Sequence, residues 1–98
     1  MKFIRPQKPM HPSDIRFINA DKIVCIRVAE SHIWEEWYVD ADLDQGSYTV
    51  GAYPTQNKAE IMAEYVADFV LNGEDGRILA VPENDTEYER VPKKKVWV

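Results

Sequence analysis

Residues 37–53 read WYVDADLDQGSYTVGAY, two runs of alternating apolar and polar residues on either side of a glycine. Strand side chains point to opposite faces in turn, so Trp37, Val39, Ala41 and Leu43 share one face while Tyr38, Asp40 and Asp42 share the other. In the second run Tyr48, Val50 and Ala52 share a face. A tight loop at Gln45-Gly46, or a four-residue loop from Asp44 to Ser47, pairs Leu43 with Tyr48, Ala41 with Val50 and Val39 with Ala52. The two apolar faces then coincide, and a one-residue slip would turn one of them outward. Gly46 supplies the positive φ that a primed hairpin turn requires.

The same stretch raises a second reading, a calcium loop, because Asp40, Asp42 and Asp44 stand at alternate positions. An EF-hand loop places acceptors at its first, third and fifth positions, glycine at the sixth and glutamate at the twelfth. Here Gln45 occupies the glycine place and Gly51 the glutamate place. On a strand the three carboxylates also recur at about 6.6 Å intervals, too far apart for one ion with ligands at roughly 2.4 Å. The expectation is a solvated acidic face and no metal.

Upstream, IRFINADKIVCIRV is rich in Ile and Val and reads as strand, with Asn19-Ala20-Asp21 as a turn or bulge and Val24, Ile26 and Val28 on one face. A polar link, AESH, leads to IWEEW and the hairpin. Downstream of Tyr53-Pro54 the period changes. Ala59, Met62, Tyr65, Val66, Phe69 and Val70 recur at helical spacing, Thr55 caps the start, and Gly73 is expected to end the helix in a left-handed conformation. GRILAVP reads as a short strand that stops at Pro82. These elements define an α+β domain, an antiparallel β-meander of three to four strands with one α-helix packed on one face. A partial pleckstrin-like barrel is disfavoured because too few strands precede the helix.

Three segments follow: an extended arm over residues 1–13 with KFI as an edge strand, the meander and helix over 14–82, and a polar linker with a basic tail over 83–98. The chain of 98 residues is 45% apolar, which suits one folded domain. Its net charge of −5 conceals a segregation. The first twelve residues carry Lys2, Arg5 and Lys8, the tail carries Lys93, Lys94 and Lys95, and all seventeen acids lie between, against six bases, leaving that middle at −11. Such a body repels nucleic acid while the ends attract it. A single cysteine, Cys25, and no long apolar run point to a reducing compartment and no membrane span, hence a cytoplasmic protein.

Catalytic chemistry finds little footing. His32, Glu35 and Glu36 in SHIWEEW do not form the HExxH spacing that a helix presents to zinc, and His11 is the only other imidazole. Ser31, Ser47 and Thr55 fall at turns or a cap, where hydroxyls satisfy backbone donors. No GxSxG, glycine-rich phosphate loop, GxGxxG or CxxC occurs. No catalytic residue, metal or cofactor is therefore expected.

Aromatic placement says more. In the proposed register Tyr38 faces Tyr53 on the side away from the helix, with Trp34 on the same face and Trp97 in the tail able to cover them. Uncovered aromatic faces mark interaction sites. The order of INADKIVCIRV, the hairpin and PTQNKAEIMAEYVADFV resembles small proteins of Gram-positive bacteria and their phages, in which a β-meander runs into one helix through G-x-Y-x-T-x-x-x-A. Here the junction is Gly51, Tyr53, Thr55 and Ala59, and the likeness spans residues 15–72. It implies a fold and carries over no activity. The leading functional expectation is a non-catalytic interaction module that self-associates through a sheet face or edge strand, with Trp34, Tyr38, Tyr53 and Trp97 at its surface. The alternative is a nucleic-acid accessory protein that uses Lys93, Lys94 and Lys95, and an enzyme of undefined class ranks third.

Overall fold

A computed structural model describes residues 1–7, 16–31, 33 and 35–82. The tail with Trp97 and Lys93 to Lys95, together with Trp34, His32 and His11, lies outside the described residues. The elements run β1 (Phe3–Arg5), β2 (Ile18–Asn19), a 3-10 turn (Ala20–Lys22), β3 (Ile23–Glu30), β4 (Trp37–Leu43), β5 (Gly46–Tyr53), α1 (Gln56–Asn72) and β6 (Ile78–Ala80). β3, β4 and β5 form an antiparallel meander in that order, and α1 packs across all three strands. The α+β class with one helix is therefore observed.

A second sheet, β2-β1-β6, was not legible in the sequence. The N-terminal KFI is not an edge strand: β1 is central, antiparallel to β2 and parallel to β6. Its Ile4 is fully buried and joins Ile18, Leu79 and Val81 in the same core as Val39, Ala41, Val50, Ala59, Met62 and Val66. Residues 1–7 thus belong to the body of the fold, and the arm expected there is corrected to a core strand followed by Pro6 and Gln7.

The hairpin forms with Val39, Ala41 and Val50 on its core face as expected, but its register differs, and Ala52, expected on that face opposite Val39, instead pairs with Tyr38 on the other. Leu43 pairs with Gly46 and Ala41 with Tyr48, two residues tighter than the sequence pattern suggested. An even shift preserves the faces, so the periodicity could not distinguish the two. The two-residue turn is Asp44-Gln45, and neither residue has positive φ, so it is not type I′. Gly46 takes that conformation instead, at φ 150, as the first residue of β5.

Farther along, the pairing changes between Asp40–Thr49 and Val39–Gly51, leaving Val50 as an extra residue on β5. This bulge resets the alternation. Tyr53 consequently pairs with Trp37 and is buried at 1% exposure, so its expected position opposite Tyr38 on the uncovered face is wrong. Its hydroxyl donates to the Pro82 carbonyl at 2.6 Å. Gln7 joins the same point, its Nε2 donating to Pro82 O at 2.7 Å while its backbone N–H donates to Val50 O. A similar irregularity between Ile23 and Cys25 leaves Val24 67% exposed, off the face it was expected to share with Ile26 and Val28.

α1 begins as its sequence indicates, with Thr55 Oγ1 accepting from Lys58 N and Ala59, Met62 and Val66 buried. It ends differently. Gly73 has φ −65, so left-handed geometry is not its contribution. A Cβ there would stand 2.5 Å from Phe69 O and 2.8 Å from the Phe69 ring, so the residue must be small.

Two substitutions test this packing. Tyr53→Phe removes one hydrogen bond but leaves Pro82 O with its Gln7 donor, so urea denaturation should show a loss of about 1 kcal/mol. Gly51→Ala would place a Cβ 2.9 Å from the Tyr53 ring and hydroxyl. Because that ring is buried and hydrogen-bonded, overpacking should cost about 1–3 kcal/mol in the same assay.

Candidate interaction surface

The register of the meander arranges its helix-distal face in three cross-strand rows: Ala29–Tyr38–Ala52, Arg27–Asp40–Thr49 and Cys25–Asp42–Ser47. The two lower rows form a closed polar network. Arg27 Nε lies 3.0 Å from Asp42 Oδ2 and Arg27 Nη1 lies 3.5 Å from Asp40 Oδ2. Thr49 Oγ1 donates to Asp40 Oδ1 at 2.8 Å, and Ser47 Oγ donates to Asp42 Oδ1 at 2.5 Å.

The solvated acidic face expected here is corrected at Asp40, which is buried and held by Arg27 and Thr49 from the two neighbouring strands. Asp40 and Asp42 share one guanidinium from the neighbouring strand, which leaves the pair with a net negative charge, and Asp44 stands apart in the exposed turn. Among the described residues no group of three His, Cys, Asp or Glu side chains is placed to hold a metal. The hydroxyl hydrogen bond from Ser47, and then the one from Arg27, hold the Asp42 carboxyl below its ordinary range. The same two carboxylates raise the Arg27 pKa, the Asp42 hydrogen bond foremost. Neither group offers a proton at neutral pH.

The upper row has another character. Tyr38 is half-buried between two alanines, with Ala29 and Ala52 also half-buried, so the aromatic ring meets only small neighbours across the sheet. The loop that precedes β4 is closed by Ser31 N–H donating to Glu36 O at 2.8 Å. It carries Glu35 at φ 53 and leaves Ile33 80% exposed. β4 accordingly starts at Trp37, later than the IWEEW pattern suggested. Of the four aromatic residues expected at an interaction surface, Tyr38 stands on this face and Tyr53 is in the core.

The two edges of the meander differ. Along β5, the Gln7 backbone N–H donates to Val50 O at 2.9 Å and Gln7 Oε1 accepts from Ala52 N at 2.8 Å, so that edge is partly closed. Among the described residues β3 pairs with β4 alone, leaving the outer edge of an eight-residue strand open. Arg27, Gln7 and the open edge were not visible as a set in the sequence, since they meet only through strand order. At the other end of the hairpin, Phe17, Leu43 and Tyr48 line a shallow groove of about 410 Å³ with Arg16 over the Tyr48 ring. No described helix is long and apolar enough to cross a membrane.

Comparison of the chain with family models, with curated proteins and with solved structures finds no match, so the surface is read from its own geometry.

Two outcomes follow from the polar rows. A carboxyl whose folded pKa is depressed contributes stability above its unfolded pKa, and loses it as pH falls through the folded value. Asp42 should therefore titrate below 3.8 when followed by carboxyl NMR, and Ser47→Ala should raise its midpoint. Adding millimolar calcium should leave the melting temperature unchanged, since a ligand selective for the native state would raise it.

Proposed function

We propose that this chain is a non-catalytic interaction module that self-associates through the meander, with the outer edge of β3 as the contact. The open edge is the observation that supports the reading. An unpaired strand edge presents a row of backbone donors and acceptors, and a second strand satisfies them by extending the sheet. The opposite edge is already engaged by Gln7, which leaves β3 as the available one. Val24, exposed by the irregularity at the start of β3, and the exposed Cys25 lie along the same edge. Closed pairing of two copies gives an isologous interface in which each contributes the same strand.

Light scattering over a broad concentration range tests the proposal. Dimers are expected to accumulate as concentration rises, and Glu30→Pro, which removes a backbone donor that points away from β4, should shift the equilibrium toward monomer. Ala29→Lys, a milder change at the same edge, should act in the same direction without a proline in the strand. A monomer at every accessible concentration would refute self-association.

A further inference from the structure

The half-buried Tyr38 row has a particular chemistry. It joins an aromatic ring with small neighbours to a negatively charged surround, because Asp40 and Asp42 outnumber Arg27 on the face and Glu35 and Glu36 enter from the adjoining loop. A ring in an acidic setting suits a segment that brings both cations and an aromatic group, through cation–π contact and offset stacking. The chain's own last residues, Lys93-Lys94-Lys95-Val96-Trp97-Val98, have that composition.

Where the described chain ends strengthens the match. Pro82 is tied by its carbonyl to Tyr53 and to Gln7, and Gln7 lies along the β5 edge at Val50 and Ala52. The chain therefore leaves the body beside the β5 end of the Ala29–Tyr38–Ala52 row. Ten residues separate Pro82 from Lys93. Extended, they span up to roughly 35 Å, whereas the row crosses two strand spacings of about 4.8 Å each.

We propose that residues 93–98 dock on the Tyr38 row of the same chain, with Trp97 against Tyr38 and the lysines toward the surrounding carboxylates. The docking uses a sheet face, so it is independent of the β3 edge proposed above for self-association. It also sets the basic tail against the body's acidic charge and withdraws it from polyanions.

Cys25, exposed and the only cysteine, lies at the far row of the same face and offers a place for a nitroxide. Along β3 it is four residues from Ala29, roughly 13 Å at about 3.3 Å per residue. With nitroxide and nitrogen-15 on one chain, the amide signals of residues 93–98 should broaden. Replacing Lys93, Lys94 and Lys95 by Glu, or Tyr38 by Ala, should remove that broadening, and high salt should reduce it. Unbroadened tail signals would overturn the proposal. So would broadening seen only when nitroxide and isotope reside on different chains, which would place the tail on a second copy. Light scattering of the unlabelled protein reports self-association separately, so either proposal can fail alone.

Discussion

The Pro82 carbonyl is where this fold is closed. Tyr53 from the end of β5 and Gln7 from the segment after β1 both donate to it, within 2.7 Å. A proline has no backbone N–H, so the strand register cannot extend through it, and its carbonyl is left free for side chains. Three distant parts of the chain are joined there: the N-terminal strand, the meander, and the segment leaving β6. Val81 N–H donating to Arg5 O draws the same two chain segments together one residue earlier. The second sheet and the meander consequently share one core, in which Ile4 and Leu79 pack with Val39, Val50 and Tyr53.

That closure depends on an irregularity. Strict alternation along β5 would place Val50 and Tyr53 on opposite faces, since they are three residues apart. The bulge at Val50 inserts one unpaired residue and allows both to be buried. Gly51 completes the device, because any larger residue would meet the Tyr53 ring. Small residues serve α1 in the same way, Ala59 buried in its first turns and Gly73 fitting against Phe69 where the helix ends.

On the opposite face, electrostatics decides character. Arg27 lies between two aspartates that would otherwise repel each other along one strand, and Ser47 and Thr49 complete their hydrogen bonding. The exposed Arg27–Asp42 pair carries modest energy in water. Its larger effect is to leave the Tyr38 row as the apolar end of an otherwise polar sheet face. The surface therefore has a direction, from a satisfied charge network near the hairpin tip to an aromatic with small neighbours beside the Pro82 exit.

Local pattern was enough to establish the faces of β4 and of β5 as far as Val50, the helix and its Thr55 cap, and the strand before Pro82, because each arises from periodicity or capping among near neighbours. It was enough also to place Asp40 and Asp42 on one strand face, but not to show that Asp40 is buried there beside Arg27. The register, the bulge and the burial of Tyr53 were decided by tertiary structure. An even shift leaves alternation unchanged, and a bulge is stabilised by what packs against it, here Pro82 and Gln7 from opposite ends of the described chain. β1 was read as an arm for the same reason: three residues carry no period, and only their pairing with β2 and β6 makes Ile4 a core residue.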